Sequence, residues 1–195
     1  MTKAECTKAK IINEAAYLFR KKGYAASTLR EIAKRCGIEG GSIYFHFGSK
    51  QEILLTIMEE AMDELTSQVN EGLAYKSDPL EKLQTAIATH IKYHIDKLDK
   101  TYATDSDIRS LTNENYNLII KKRRTYENIF IKILEEGIEK GIFRKSDVKM
   151  TTFSILQMCT GVSYWFKKDE ILSIDEITER YFSFICGGVR DSVRE

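Results

Sequence analysis

Residues 27–52 leave this chain little choice of fold, because they punctuate two short helices and the start of a third. Thr28 and Glu31 form a capping box, hydroxyl to the Glu31 amide and carboxylate back to the Thr28 amide, so a helix starts there. Leu29, Ile32, Ala33 and Cys36 make one apolar stripe at helical period, and Gly37 stands where the chain must turn through positive φ. Ile38 and Ile43 are apolar anchors that pack a second helix, over 39–45, across the first, with Gly40, Gly41, Ser42, Tyr44 and His46 left outside. Ser49 with Glu52 is a second box, opening a long helix with Lys50 in its first turn. Two short helices about a glycine turn make a helix-turn-helix, whose second helix enters a DNA major groove. A cation at the positive end of a helix calls for an anion beside it, and for Lys50 a DNA phosphate is the expected one.

Charge is distributed to match. The 195 residues carry a formal net charge of only +1, yet residues 1–50 hold ten Lys or Arg against four Glu, which is +6 and leaves −5 for the remainder. Polyanion binding is expected at the N-terminal end. With 43% hydrophobic and 30% charged residues the chain reads as globular rather than disordered. Cys6, Cys36, Cys159 and Cys186 are scattered without a Cys-x-x-Cys pair, which suggests neither a disulfide framework nor a zinc site. The first residues, Met-Thr-Lys-Ala-Glu-Cys-Thr-Lys, lack the apolar region of a signal peptide, and the cytoplasm is the expected location. The longest uncharged run, 150–166, is too short and too rich in Ser and Thr to span a bilayer. It reads as a helix buried on more than one side, and no membrane partner is expected.

Helical period recurs along the whole chain and alternating strand period nowhere, so the fold class is all-α. Residues 7–22 give a first helix ended by Gly23, and residues 49–70 a long one with Ile53, Leu54, Ile57, Met58, Ala61, Met62, Leu65 and Val69 inward. At ~1.5 Å per residue that rod is ~30 Å long and belongs to both parts of the chain. Asp78-Pro79 with Glu81 starts a helix expected to reach residue 100. A polar connection over 101–107 and a short helix at 108–111 follow. Thr112 then caps a long helix that Gly141 closes, with Phe143 tucked back against it. Asp147, and Ser173 with Glu176, open two last helices rich in aromatic residues on more than one face. The expected organisation is an N-terminal three-helix helix-turn-helix DNA-binding domain over 1–48 and a helical effector-binding and dimerisation domain over 49–195, about nine helices by period.

Ala15, Ala16, Leu18, Phe19, Gly23, Tyr24, Ser27, Thr28, Ile32, Ala33, Gly37, Ile38, Gly41, Ile43, Tyr44, His46, Phe47, Ser49 and Lys50 stand in an order that resembles the N-terminal DNA-binding domain of the TetR family of transcriptional repressors. The resemblance implies a homodimer, joined through its last two helices, on a near-palindromic double-stranded operator. It implies DNA contact by Thr28, Gly40, Gly41, Ser42, Tyr44, His46 and Lys50, with Ser42 and Tyr44 the base-edge readers and Thr28, Tyr44, His46 and Lys50 on the backbone. The sequence departs from the family at Glu39, where a hydroxyl residue is usual, and at Gly40-Gly41, which removes side chains and shifts weight to DNA shape. A second stretch, Leu111-Thr112-x-Glu114, Arg123-Arg124-x-Tyr126-Glu127-x-x-Phe130, Glu136-Gly137-Ile138-x-x-Gly141-x-Phe143 and Trp165 ahead of Leu172-Ser173, is similar to the branch that controls fatty-acid and steroid breakdown and senses acyl-CoA thioesters. It implies a small apolar or acyl-CoA-like effector held by Met62, Ile87, His90, His94, Arg123, Tyr126, Phe130 and Trp165, with Arg123 or Arg124 near the phosphates.

His90-x-x-x-His94 puts two imidazoles on one helical face without an evident third ligand, so neither a metal nor a cofactor is expected. No nucleophile, base and orienting group assemble from local motifs, and Asp105 and Asp107 read as helix caps rather than magnesium ligands. An all-α enzyme is the alternative class, and a non-specific DNA-binding structural protein the third. Turnover would favour the enzyme and uniform coating of DNA the structural protein, whereas a sequence-selective footprint favours the regulator.

Overall fold

Helices begin where a short polar side chain can accept an otherwise orphaned amide. The computed structural model describes residues 3–166 and 172–189. Its helices are α1 Lys3–Lys22, α2 Leu29–Cys36, α3 Lys50–Leu73, α4 Pro79–Asp96, α5 Leu98–Ser106, α6 Asn113–Glu139, α7 Val148–Trp165 and α8 Ile174–Val189, with 3-10 segments at Gly40–Phe45 and Ile108–Ser110. The expected caps are in place: Thr28 with Glu31, Asp78 accepting the Glu81 amide at 3.1 Å, Asp147 accepting that of Met150 at 3.0 Å, and Ser173 with Glu176. At the start of α3, Ser49 Oγ accepts the Glu52 amide at 3.1 Å, and the Glu52 carboxylate reaches past Ser49 to the Gly48 amide at 2.7 Å. Among the described residues there is no strand, and the class is all-α.

Two expectations about individual elements are corrected. Where an α-helix is expected over 39–45, Gly40–Phe45 forms a 3-10 segment, and Glu39 at its N-cap makes no side-chain cap. With two glycines in its first turn and no cap for its amides, the segment has little to hold a wider helix. The helix expected to run to residue 100 ends at Asp96, and the supposed polar connection after it is α5. Sequence polarity misleads there because Thr101 and Thr104 turn their hydroxyls back onto the carbonyls of Lys97 and Lys100, at 3.2 and 2.9 Å. Both are buried beside Ala103, so threonines in a helix serve as core residues once that back-bond satisfies them.

Contacts divide the chain into two compact units, Met1–Asp63 with Lys97–Lys122, and Glu64–Asp96 with Arg123–Glu195. A boundary at residue 48 follows chain order; this division does not, since α5 and the start of α6 belong with the N-terminal helices. The first unit closes over Ile11, Ala15, Phe19, Ile32, Ile43, Phe47, Ile53, Leu54, Ile57, Ala103 and Ile119. Arg20 bonds Asp99, and Lys100 bonds Glu60 at 2.8 Å, so paired charges fasten α5 within it. The second unit buries Leu83, Ile87, Ile91, Phe130, Ile155, Cys159, Val162, Ile177 and Ile185 from α4, α6, α7 and α8. Phe143 folds back onto α6 as expected: Gly141 turns at φ 69°, and a Cβ at Gly137 would stand 2.0 Å from the Phe143 ring. No helix among the described residues is long and apolar enough to cross a membrane.

Candidate nucleic-acid interface and effector unit

In the first unit, α2 is held at both ends. The Thr28 hydroxyl accepts the Glu31 amide at 3.2 Å and the Glu31 carboxylate accepts the Thr28 amide at 3.0 Å; at the other end Gly37 turns at φ 72°. Lys22 also bonds Glu31, and that bond with those from Thr28 holds its carboxyl down at about 2. Lys10 donates to the Cys36 carbonyl at 2.8 Å, a cation on the negative end of α2. Across the turn, Ile43 is buried and anchors the 3-10 segment, whereas Gly40, Gly41, Tyr44 and Phe45 are exposed and Ser42 and His46 half-buried. Arg30 and Lys34, on α2, are exposed beside them in sequence. The residues expected at DNA therefore stand along one short surface segment and the start of α2, with the exception of Lys50.

Lys50 has acceptors of another kind. Its ammonium donates to the carbonyls of Tyr24, Ala25 and Ser27 at 2.8, 3.3 and 2.8 Å, and sits 4.2 Å from the Tyr24 ring centroid. A lysine has three donors, and all three are engaged. Its neighbour Gln51 bonds the Tyr24 hydroxyl at 3.0 Å, the Ser110 carbonyl, and the Thr112 amide at 3.2 Å. Burial raises the Asp107 carboxyl against the Tyr24 amide and the Lys50 charge, which lower it. Residues 50 and 51 thus tie the turn before α2 to the connection between α5 and α6. Gln51 has no local partner to announce it in the sequence, and Asp107, expected as a helix cap, stands before the second 3-10 segment without a side-chain cap hydrogen bond.

In the second unit, the expected effector residues Ile87, His90, His94, Tyr126 and Phe130 are brought together, and all are buried. His90 Nδ1 pairs with the Tyr126 hydroxyl at 2.8 Å and Nε2 with the Thr160 hydroxyl at 3.0 Å. A neutral imidazole carries one N–H and one lone pair, so one hydroxyl donates to the ring and the other accepts from it. His94 stacks on His90 with centroids 4.1 Å apart and donates from Nδ1 to the His90 carbonyl at 2.9 Å. Burial, with the His94 charge, puts the His90 pKa well below 6.5, so the ring is neutral. Among the described residues no group of three or more potential ligands could hold a metal, and the histidine pair is bonded as a core element. Burial also pushes the Cys159 thiol up to about 12. Arg123 and Arg124 lie near Glu127, whose carboxyl burial raises against them. Met62 is buried within the first unit, and Trp165 is half-exposed, its ring stacked on Tyr181 at 6.4 Å.

Large apolar side chains are exposed on α7, and α8 adds one. Met150 is 65% and Phe184 74% exposed, with Phe153, Tyr164 and Trp165 also open. Met150, Ile155, Met158, Phe184, Ile185 and Val189 line a groove of about 340 Å³. A helix expected to be buried on more than one side is thus buried within the chain on one side only, through Thr152, Ile155, Cys159 and Val162.

Two family models match the chain. One, for bacterial regulatory proteins of the tetR family, matches residues 11–57; the other, for a tetracyclin repressor-like C-terminal domain, matches residues 76–189. Over 185 residues the chain is 25% identical to the HTH-type transcriptional repressor KstR2 of Mycolicibacterium smegmatis, covering 93% of this chain and 90% of that one. Over 187 residues it is 26% identical to the fatty acid metabolism regulator protein of Bacillus subtilis, covering 93% and 94%. The crystal structure of the regulator PfmR from Thermus thermophilus superposes with a TM-score of 0.84 at 31% identity, over 91% of this chain and 97% of that one.

Proposed function

The chain belongs to the TetR family of bacterial regulatory proteins, DNA-binding transcriptional regulators, and on that premise we propose a homodimeric repressor released from its operator by an apolar or acyl-CoA-like effector. Membership sets the enzyme alternative aside. The relatives bear out the second resemblance as well, to the branch concerned with fatty-acid and steroid breakdown.

The observation that carries the dimer is the apolar face of α7 and α8, with Met150, Phe153, Tyr164, Trp165 and Phe184 open to solvent. A two-fold pair covers such a face with its own copy and leaves no edge for further association. Gly161, Gly187 and Gly188 have no atom within 4 Å of where a Cβ would stand, which gives a partner helix room to approach. Two symmetric heads then read two half-sites of a near-palindrome. In each head Thr28, Gly40, Gly41, Ser42, Tyr44 and His46 meet the DNA, and Lys50 holds the turn beneath them.

The effector takes the ring cluster of the second unit, where Ile87, His90, His94, Tyr126 and Phe130 supply apolar walls and two buried imidazoles, with Arg123 or Arg124 toward its phosphates. Helix α3 runs without a break from residues of the first unit into residues of the second, so effector binding acts on the head through one continuous element. An effector shifts this equilibrium only by its differential affinity, and moving it from 1:99 to 99:1 takes about 5.5 kcal/mol, shared between two sites. Linkage requires that operator DNA weaken effector binding by the factor by which effector weakens DNA binding. The test is to titrate palmitoyl-CoA, octanoyl-CoA and CoA alone into the dimer with and without saturating operator. Reduced acyl-CoA affinity in the operator complex is expected, and equal affinities in both titrations overturn release by this route.

A further inference from the structure

Gly40–Phe45 turns as a 3-10 helix, three residues per turn, so residues three apart share an edge. Gly40 and Ile43 share one edge, which Ile43 anchors in the core while Gly40 stays exposed. Gly41 and Tyr44 share a second, and Ser42 and Phe45 a third. Ile43 is fully buried, while Tyr44 is 61% and Phe45 89% exposed. Each outward edge therefore carries a small residue one turn ahead of an aromatic ring. The same unit buries its other phenylalanines, Phe19 and Phe47, almost completely, so the exposure of Phe45 is particular to this segment.

The glycines sharpen the point. Neither Gly40 nor Gly41 has a positive φ, and neither has any atom within 4 Å of where a Cβ would stand. Backbone conformation and packing within the chain both tolerate alanine at these positions, so bare backbone matters only to something that arrives from outside. The segment is also poor in hydrogen-bonding side chains, with Ser42, Tyr44 and His46 against one large ring that has no polar atom. In the major groove the apolar feature a ring can recognise is the C5-methyl of thymine.

We infer that Phe45 is a specificity-determining residue that seats its ring on a thymine methyl, and that Gly40-Gly41 let the segment come close enough for it to do so. This rests on the reading of the chain as a sequence-selective regulator. A hydroxyl and a ring on one edge, Ser42 and Phe45, then read neighbouring positions by different chemistry, one by hydrogen bond and one by apolar contact.

The test uses the full chain. An operator is selected from random duplex DNA, and affinities are measured at fixed salt for it and for copies in which one thymine at a time is replaced by deoxyuridine, which removes only the methyl. At one thymine per half-site the replacement is expected to weaken the wild-type protein by about fivefold or more. Phe45→Ala is expected to lose as much on the intact operator and to be indifferent to that replacement. Gly41→Ala is expected to weaken binding with its thermal midpoint unchanged. Phe45→Ala that loses affinity yet keeps the deoxyuridine effect, or Gly41→Ala that binds normally, overturns the inference while leaving the regulator reading intact. Enrichment of no sequence at all removes both.

Discussion

The two units of this chain dispose of their polar groups in opposite ways. The first keeps charge at or near the surface and commits it to local tasks: Glu31 to the start of α2, Lys10 to its end, Lys50 to three carbonyls. Its core is aliphatic with two phenylalanines, and what it shows outside is a 3-10 segment bearing two open rings. The second buries polar groups, His90, His94 and Tyr126, among aromatic side chains, and leaves apolar ones outside on α7 and α8. A surface built for a polyanion needs its cations positioned and hydrated, whereas the effector and dimer roles proposed for the second unit need polar groups inside and apolar ones out. Burying a polar group is costly unless each hydrogen bond is made, which is why the second unit pairs every ring nitrogen of His90.

The largest break in that contrast is Phe130→Ala. Its ring is fully buried and meets His90 edge-on at 6.4 Å, so truncation is expected to cost about 3–5 kcal/mol, read from the denaturant midpoint. It should also shrink the loss of stability as pH falls below 6.5, because water admitted beside His90 eases its protonation in the folded chain and brings its pKa back toward 6.5. Next comes Lys50→Met, expected to cost about 1.5–3 kcal/mol through the loss of a charged donor from three carbonyls. Because that ammonium is already engaged, the slope of log affinity against log salt should stay as it is; a loss of about one unit would return Lys50 to a phosphate. The smallest effect separates the units by acid. His90 titrates well below 6.5 in the folded chain, so its contribution is present above pH 6.5 and is lost as pH falls below it, by at most ~1.4 kcal/mol per pH unit. Glu31, at about 2 against 4.5, contributes above pH 4.5 and is lost between 4.5 and 2. The urea midpoint should fall between pH 7.5 and 5.5 for the wild type and fall less for His90→Gln, while Glu31→Gln, lower at both pH values, should fall by as much as the wild type.

Much of this was legible before any fold. Capping boxes are local, so Thr28 with Glu31 and Ser173 with Glu176 were readable from three-residue spacings, and the turn glycines Gly37 and Gly141 from their places after an apolar stripe. The likeness to known regulators rested on the same local order. The residues proposed for the effector on α4 and α6 were legible as stripes, and their meeting in one cluster is a consequence of two helices burying matching faces.

Other features depend on partners far away in the chain. Thr101 and Thr104 look like a polar linker until Ala103 beside them is buried against α1, when a back-bonded threonine costs little to bury. Lys50 looks like a cation waiting for phosphate until the turn of residues 24–27 brings three carbonyls to it. Trp165 looks like a pocket residue until Tyr181 of α8 stacks on it and the rest of the ring stays open. The sequence by itself determined most of the helices, their caps, the helix-turn-helix and the family, since these depend on groups within about one helical turn of each other. Only the tertiary structure decided which polar groups are satisfied inside and which apolar faces are left outside, because both depend on atoms that are neighbours in space alone.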